Sequence, residues 1–483
     1  MSVQTYTYDG PEELHALVGQ VMASLGYVGG REVTCVGAAV VVRAAGGHLA
    51  LRCTFRDGGA PWVSEAVLLG TKRQREAVKD CLIHWYDRFS GRGPSPWGTL
   101  IGVRPTKLVH HLFDQGLDDR SAAKTLEGNY HVAPETARRL VAMARLQRPY
   151  VTDRGRKLAL YVGIPYCASH CLYCSFPSRL IGREGEGGFK AFRDAVLADL
   201  DDLKDLCRTY DLDVTSLYVG GGTPTCLPQA ILQPILEKLA GNFPHVREWT
   251  VEAGRPDTAK PEMLAMLRAC GVDRISVNPQ TMQQRLLDAL GRRHSVADIY
   301  TMYENCRKLG FSVVNMDFIA GLPGQTLADM QENMEIVCKL HPENVTIHTL
   351  ALKKRAPLFH HVLRAAVPPA EETGRMVRLC RTVLTAKGYL PYYMYRQKYM
   401  AASFANTGYA LPGSISAYNI EMMEERQSVL AAGPGGATKF LARDGHTLEK
   451  VYMPKDVDAY IGALPEKMAQ RRRLCAIIYG GEI

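Results

Sequence analysis

The sequence predicts an α/β protein whose central part is a parallel β-sheet with helical crossovers, curved into a barrel or part of one. Two observations support this fold class. Between residues 158 and 352, short apolar runs of strand length alternate with helical stretches, and this alternation is typical of parallel sheets. The unusual polar, cysteine and glycine residues of the region come where the predicted strands end, and active sites of such barrels form at the carboxyl ends of strands.

Six predicted strands and five predicted helices make up this central region. The strands cover residues 158–164, 216–220, 248–252, 274–277, 313–318 and 344–350. The helices between them cover residues 189–207, 229–239, 261–270, 296–309 and 327–340. We therefore expect a barrel domain over residues 155–360.

A smaller α+β domain is expected on each side of the barrel. Residues 1–150, whose role the sequence does not indicate, combine β-rich stretches with helices, and the His110-His111 pair is interpreted as surface histidines on a helix. Residues 368–483 are expected to cover the substrate. Their predicted elements are a helix over 371–387, a strand over 392–395 and a helix over 418–430. The basic run Arg471-Arg472-Arg473 is interpreted as a solvated helix end.

Composition and charge exclude several classes of protein. The 483 residues include 58 Lys and Arg against 49 Asp and Glu, a net charge of +9 that favours anionic ligands but is too small to indicate nucleic acid. No apolar run approaches the roughly 20 residues that cross a bilayer. The first residues carry Glu12 and Glu13 rather than a signal-peptide pattern. We expect a cytoplasmic protein with reduced thiols and no membrane segment.

Three of the 13 cysteines are closely spaced, and the other ten are isolated. Cys167, Cys171 and Cys174 form a C-x3-C-x2-C pattern directly after the first barrel strand. Three thiolates in eight residues can bind three irons of a 4Fe–4S cluster, which leaves one iron open as in a catalytic site. The alternative is a zinc site with His170 as fourth ligand, which is disfavoured because this side chain lies between two of the cysteines and would have to fold back.

Glycines and polar residues follow the next strands. Gly220-Gly221-Gly222-Thr223-Pro224 ends the second strand, and glycines there allow a ligand to approach the backbone closely. The pattern is neither G-x-G-x-x-G nor a P-loop, so binding of nucleotide phosphates is disfavoured. Glu252, Gln280 and Asp317 lie at or just beyond the ends of the next three strands, where a buried polar group is costly unless it is paired.

The cysteine spacing, with Tyr173 before the third cysteine, resembles the signature of the radical S-adenosylmethionine (SAM) superfamily. The resemblance implies a partial (β/α)6 radical SAM barrel in which the amino and carboxylate groups of SAM chelate the open iron. An electron from the reduced cluster would cleave SAM to methionine and a 5′-deoxyadenosyl radical. Glu252, Gln280 and Asp317 would then face the ribose and the methionyl amine, and Arg292 the SAM carboxylate.

A narrower resemblance is to the oxygen-independent coproporphyrinogen III oxidase group. It rests on residues 161–167, the Gly-Gly-Gly-Thr-Pro run and residues 317–326, while residues 96–107, 395–398 and 433–436 resemble its HemZ-type branch, the coproporphyrinogen dehydrogenases. The resemblance assigns the cluster to Cys167, Cys171 and Cys174. It assigns SAM to Tyr161, Tyr173, Gly221, Gly222, Thr223, Glu252, Gln280, Arg292, Asp317 and Ala351.

The activity that this resemblance implies is anaerobic oxidative decarboxylation of coproporphyrinogen III propionates to vinyl groups, giving protoporphyrinogen IX, with a flavodoxin or ferredoxin as electron donor. Two residues depart from the oxidases: Gly163 replaces a histidine, and Phe176 replaces a fourth cysteine. The alternatives are a haem chaperone, with His360, His361 or the tyrosines near Tyr392 as axial ligands, and a radical SAM enzyme acting on haem or another substrate. Candidate anchors for a tetra-anionic substrate are Lys353, Lys354, Arg355, Arg396 and Lys398.

Overall fold

The computed structural model describes residues 4–29, 36–45, 48–57, 59–69, 74–91, 93–102, 104–151, 155–176, 178–396, 404–445 and 447–480. These residues form two compact units. The first contains the described residues up to Arg145 together with Arg396, and the second contains the described residues 146–395 and 404–480. The sequence-based division at residues 1–150, 155–360 and 368–483 stays a prediction.

The first unit is a five-stranded sheet with helices. Its strands are β1 (Gln4–Asp9), β2 (Tyr27–Gly29), β3 (Val36–Ala45), β4 (His48–Phe55) and β5 (Trp62–Leu69), in the order β2-β1-β3-β4-β5. Its helices are α1 (Glu12–Ser24), α2 (Gln74–Ser90), α3 (Thr106–Asp114) and α4 (Asp119–Tyr130), and α5 (Pro134–Val151) continues into the second unit. Alternate residues of β4 pack with α1 and α2 in one apolar core, as the period-two pattern of a half-buried strand requires. His110, expected at the surface, is fully buried.

The second unit is built on an 11-stranded sheet. Its strands, with the small β7–β8 pair, are β6 (Lys157–Ile164), β7 (Tyr166–Cys167), β8 (Arg179–Leu180), β9 (Asp213–Gly221), β10 (Glu248–Val251), β11 (Arg274–Gln280), β12 (Val313–Ala320), β13 (Asn344–Thr349), β14 (Leu390–Arg396), β15 (Ala405–Ala410), β16 (Ser428–Ala432), β17 (Ala437–Leu441) and β18 (Leu448–Tyr452). Six parallel strands, in the order β6-β9-β10-β11-β12-β13, form its centre. The α/β fold class and the parallel barrel strands are therefore confirmed.

Helices connect the parallel strands. The helices of this unit are α6 (Glu186–Thr209), α7 (Gln229–Asn242), α8 (Pro261–Ala269), α9 (Gln284–Ala289), α10 (Val296–Lys308), α11 (Leu327–Leu340), α12 (Ala370–Ala386), α13 (Ala417–Glu424) and α14 (Val457–Tyr479). Two of them begin with capping boxes, Ser295 with Asp298 and Thr326 with Asp329, in which side chain and backbone satisfy each other's donors. Apolar faces of the barrel helices form one core with the strands.

The sheet continues beyond the barrel strands at both edges. β15 runs antiparallel to β13, and β16 runs parallel to β6 and is followed by β17 and β18. The prediction of a helix over residues 418–430 is therefore wrong in its second half. The observed helix α13 ends at Glu424, the next residue Glu425 has a φ of 51°, and residues 428–432 form a strand that pairs with β6.

Arg471 also differs from expectation, because it is fully buried rather than solvated. Its guanidinium contacts Asp199 and Asp202 of α6, so the basic run of α14 contributes a buried ion pair. Among the described residues, none of the helices combines the length and apolar character that a membrane span needs.

Candidate iron–sulfur and SAM site

The cysteine loop leaves the carboxyl end of β6 and is held by backbone hydrogen bonds. Leu172 N donates to Leu290 O at 3.1 Å, Leu358 N donates to Leu172 O at 2.8 Å, and Cys174 N donates to Cys171 O at 3.0 Å. Cys171 is buried, and Cys167 and Cys174 are partly exposed. Among the described residues, no three His, Cys, Asp or Glu side chains are gathered in a metal-binding arrangement. The structure therefore brings the three cysteines onto one loop without closing their sulfurs around a point.

The surroundings of Cys171 fit an iron–sulfur cluster. The Nη1 atoms of Arg255 and Arg292 each lie 4.0 Å from Cys171 Sγ, and these arginines are 4% and 5% exposed. A 4Fe–4S cluster with thiolate ligands is anionic, and cationic donors beside its sulfurs stabilise that charge. His170 is exposed and its Nδ1 lies 3.3 Å from Ser178 Oγ, a contact outside the cysteine set.

The glycine motif packs directly against the cysteine loop. The register of β6 and β9 pairs Gly163 with Gly220 and Ile164 with Gly221. Gly222 N then donates to Ile164 O at 2.8 Å, and a Cβ at Gly222 would lie 2.3 Å from Tyr166 O. Gly221 has a φ of +113°, which other residues rarely adopt. Glycine is therefore required here for the backbone of β9 to reach the loop.

Thr223 joins the same motif to a cysteine. Its N donates to Tyr166 O at 2.7 Å, and its Oγ1 lies 3.7 Å from Cys167 Sγ. Three predicted SAM-site residues, Gly221, Gly222 and Thr223, thus lie beside the proposed cluster ligands.

Glu252 lies just past the end of β10 and is held by neighbouring strands. Tyr218 OH donates to its Oε1 at 2.6 Å, and Gly221 N donates to its Oε2 at 3.1 Å. Burial raises the pKa of Glu252, and the hydrogen bonds from Tyr218 and Gly221 partly oppose that rise. The ring of Tyr161 lies 6.3 Å from that of Tyr218, and burial raises the pKa of the Tyr161 hydroxyl too. A fixed acceptor and a neutral hydroxyl therefore lie next to the glycine motif.

Asp317 lies on β12, and its side chain approaches His348 of β13, a residue that sequence reasoning missed. Its Oδ2 lies 3.7 Å from His348 Nε2, and its Oδ1 accepts from Asn315 Nδ2 at 2.8 Å. Burial alone would raise the pKa of Asp317, but the hydrogen bonds and charge of His348, with those of Asn315 and Thr346, hold it below its ordinary value. Asp317 is therefore an ionised acceptor in the barrel.

Arg292 uses all five of its N–H donors within the protein. Nη1 donates to Tyr173 OH at 2.9 Å and approaches Cys171, while Nη2 donates to Gly254 O at 3.2 Å and Asn278 O at 2.7 Å. Nε lies 3.5 Å from His294 Nε2. Because five donors already have five partners, pairing with a SAM carboxylate needs one of these contacts to be exchanged.

The remaining predicted residues lie in several parts of the structure. Gln280 is buried at the end of β11 with a φ of 68°, and Ala351 follows β13, its carbonyl accepting from Lys353 N at 3.0 Å. Lys353, Lys354 and Arg355 are exposed, and Lys353 Nζ lies 5.8 Å from the Phe176 ring centroid. Arg396 belongs to the first unit, where its guanidinium lies over Trp97 and donates to Leu100 O. Lys398 lies outside the described residues.

Gly163 lies under a loop that we call the glycine strap, Gly433–Gly436, between β16 and β17. A Cβ at Gly163 would lie 2.4 Å from Pro434 O, and one at Gly433 would lie 2.4 Å from Gly163 O. The two backbones therefore touch, and no side chain fits at position 163. The histidine that the resemblance to the oxidases would place at position 163 therefore has no room beside the strap.

The fold and the family match define the chain as a radical SAM barrel protein, whose cofactors are a 4Fe–4S cluster and SAM. The sequence model of the Radical SAM superfamily matches residues 161–337. The chain belongs to the group of oxygen-independent coproporphyrinogen III oxidase-like proteins, alongside HemZ, HemW and HemN.

One curated relative shows this membership, and a second relative and one solved structure are similar to the chain in sequence and in fold respectively. The oxygen-independent coproporphyrinogen-III oxidase-like protein HemZ of Bacillus subtilis is 36% identical over 371 residues, which is 75% of this chain and 74% of that protein. The heme chaperone HemW of Bacillus subtilis is 27% identical over 51% of this chain and 63% of its own length. The structure of Escherichia coli coproporphyrinogen III oxidase HemN, a radical SAM enzyme, aligns with a TM-score of 0.52 at 20% identity, covering 70% of this chain and 79% of that chain.

Proposed function

We propose that the protein is a radical SAM oxidoreductase that decarboxylates two propionate side chains of coproporphyrinogen III to vinyl groups. The observation that carries this proposal is the juxtaposition of the cysteine loop with the glycine motif, Glu252 and Asp317 at the carboxyl edge of the barrel strands. In this proposal Cys167, Cys171 and Cys174 hold the cluster, and the ten SAM positions predicted from the sequence surround SAM.

The bound cofactors would supply the one-electron chemistry that removes a hydrogen atom from a propionate β-carbon. Loss of CO2 and of one electron to an acceptor then leaves a vinyl group. Glu252 and Asp317 would orient SAM as hydrogen-bond acceptors. The buried barrel around them would exclude water from the reacting atoms. We further propose a flavodoxin or ferredoxin as electron donor and a cytoplasmic location.

The exposed basic segment Lys353-Lys354-Arg355 supports an anionic substrate. It follows β13, the last parallel strand of the barrel, and Lys353 lies beside Phe176 of the cysteine loop. A cationic segment next to an exposed aromatic ring suits a molecule with an apolar ring system and peripheral carboxylates.

Anaerobic turnover tests the proposal. Reduced, cluster-loaded protein with SAM and coproporphyrinogen III is expected to release CO2 and to form 5′-deoxyadenosine and protoporphyrinogen IX. Deoxyadenosine without CO2 or protoporphyrinogen would exclude this substrate. Combined substitution of Lys353, Lys354 and Arg355 by Met is expected to raise KM for the porphyrinogen. The matched control replaces three exposed lysines elsewhere, Lys204, Lys387 and Lys450, and should leave KM unchanged.

Haem handling is the second candidate, and the exposed pair His360-His361 beside the same basic segment favours it. In this candidate a histidine ligates haem and SAM turnover is weak or absent. Haem titration followed by absorbance would show stoichiometric binding that the H360A/H361A variant loses. Haem binding with no deoxyadenosine formed would favour this candidate over decarboxylation. Deoxyadenosine formed with haem or a non-porphyrin compound would instead indicate a radical SAM enzyme whose substrate is not coproporphyrinogen III.

A further inference from the structure

Four buried or half-buried side chains form a continuous chain of contacts that begins and ends at Cys171. We call this set the arginine ring; its members are Arg255, Asp257, His294 and Arg292. Arg255 Nε and Nη2 donate to the two carboxylate oxygens of Asp257 at 3.0 and 2.7 Å. His294 Nδ1 lies 3.6 Å from Asp257 Oδ1, and Arg292 Nε approaches His294 Nε2 at 3.5 Å. Sequence reasoning identified Arg292 alone from this set.

Within the arginine ring, the third guanidinium nitrogen of Arg255, Nη1, faces the cysteine loop. Nη1 donates to Ser169 Oγ at 2.8 Å and to Ser169 O at 3.2 Å, and it lies 4.0 Å from Cys171 Sγ. The bidentate pair with Asp257 fixes the plane of the guanidinium, because the two fork donors match the two carboxylate oxygens. Arg255 is therefore oriented rather than merely near the sulfur.

The orientation has an electrostatic consequence. The cationic end of the Arg255–Asp257 pair faces Cys171, and the carboxylate lies on the opposite side of the guanidinium. Only 5% of the Arg255 side chain and 22% of the Asp257 side chain is exposed, so water screens the charges of this pair weakly. Positive charge and hydrogen bonds at a cluster sulfur favour the reduced cluster, which carries one more negative charge than the oxidised cluster.

We propose that Arg255, oriented by its two hydrogen bonds to Asp257, is a positioning residue that raises the midpoint potential of a cluster bound through Cys171. The proposal rests on the cluster ligands of the proposed function and is independent of the tetrapyrrole substrate. It gives the arginine ring a role in how readily the cluster accepts its electron.

The test is a spectroscopic redox titration of anaerobically reconstituted, full-length protein. Arg255→Met removes the charge at similar volume and leaves Asp257 uncompensated near the cluster. We expect the equilibrium constant for cluster reduction to fall at least about tenfold, equivalent to a midpoint about 59 mV more negative for one electron. Arg255→Lys, which keeps the charge without the fork, should lie between Arg255→Met and the wild type. The control is Arg293→Met, which removes an exposed charge from the neighbouring position and should leave the midpoint unchanged.

Iron and sulfide contents separate the possible outcomes. Arg255→Met with wild-type iron content and an unchanged midpoint would overturn the proposal and leave Arg255 a structural role only. If Arg255→Met holds no cluster, His294→Asn decides, since it keeps both guanidiniums and weakens their alignment. A smaller negative shift in His294→Asn would support the proposal, and no shift would overturn it. Wild-type protein that binds no iron would instead refute the cluster assignment in the proposed function.

Discussion

Among the regions of the described barrel unit that bury arginine, two differ in the partners of their arginines. Arg471 of α14 donates to Asp199 Oδ1 at 2.6 Å, to Asp202 Oδ2 at 3.1 Å and to Ala431 O at 3.0 Å. Its hydrogen bonds in the structure thus end on carboxylates and a backbone carbonyl. Arg255 and Arg292 instead each direct one nitrogen at the Cys171 sulfur. Arg471 is thus neutralised by two carboxylates, whereas Arg255 and Arg292 also place positive charge beside a thiol that is assigned to the cluster.

The Arg471 region also holds the glycine strap. Asp199 Oδ2 accepts from Gly433 N at 3.1 Å and from Tyr460 OH at 2.7 Å. α6, α14 and the strap therefore share one buried carboxylate, and the strap in turn contacts Gly163 at the end of β6. The region around Arg255 and Arg292 is expected to govern cofactor content, and the Arg471 region to govern stability.

The largest effect is expected from substitution of Cys171, the cysteine that both Arg255 and Arg292 approach. Cys171→Ala should abolish the iron–sulfur absorption and reduce bound iron and sulfide to background, because a cluster iron loses its protein ligand. The matched control is Cys338→Ala, an isolated and partly buried cysteine of α11, which should keep full iron content. A Cys171→Ala protein with an unchanged iron–sulfur spectrum would contradict the cluster assignment.

The next largest effect is expected from removing the buried ion pairs of the Arg471 region. Arg471→Met leaves Asp199 buried without a cation and leaves Asp202 with only the exposed Arg472, and loss of one partner of a buried ion pair costs about 3–5 kcal/mol. The free energy of unfolding in urea should fall by that amount. Arg473→Met, two positions away and exposed, should change it by less than about 0.5 kcal/mol. Equal effects of the two substitutions would show that the buried pair adds no stability.

A third prediction concerns Glu421 of α13, a buried carboxylate whose partner is a hydroxyl rather than a cation. Burial raises the pKa of Glu421 to about 7, while Ser216 Oγ, which donates to its Oε2 at 3.0 Å, lowers it and the charge of Glu248 raises it. The ordinary value is 4.5, so between pH 4.5 and 7 the folded state keeps a proton that the unfolded state loses. This contribution to stability is complete below pH 4.5 and is lost as pH rises through 7.

The measurement compares wild type with Glu421→Gln, which keeps a hydrogen-bond acceptor for Ser216 and cannot ionise. Urea unfolding at pH 5 and pH 8 should show the wild type losing about 2.5 kcal/mol more than the variant, since one pKa unit is worth about 1.4 kcal/mol. Parallel pH profiles would mean that Glu421 titrates normally.

The smallest expected effect tests the contact that links strap and barrel. Gly163→Ala places a Cβ 2.4 Å from Pro434 O, and overpacking of this kind costs about 1–3 kcal/mol. Gly241→Ala, in α7 with open space around it, should instead stabilise the protein by about 0.5–1 kcal/mol. Unfolding in urea measures both. A stabilising Gly163→Ala would show that the strap moves freely.

Local patterns predicted the barrel and its cysteine loop well. The six parallel strands follow from apolar runs of strand length, and the spacing of Cys167, Cys171 and Cys174 determines that they share one loop. The contact between the glycine motif and this loop also follows from the position of the motif at the end of β9, the strand next to β6.

Features that depend on distant partners were not predictable. Arg471 pairs with carboxylates more than 260 residues earlier in the sequence, and nothing in its basic run shows that pairing. Residues 428–432 form a strand because the edge of β6 is available, which outweighs a helical local pattern. Arg255 was missed because it belongs to no motif. Its place three residues after Glu252, in a turn with Asp257, is the available signal.

The pairing of β6 with β16 has a consequence for dissecting the molecule. A fragment that stops after β13 would keep the pairing of β6 with β9 but leave the opposite edge of β6 bare from Leu158 to Val162, and bare sheet margins of this kind recruit other chains. Shortened versions of the protein should therefore self-associate, whereas versions that retain residues 404–480 keep this edge of β6 paired with β16.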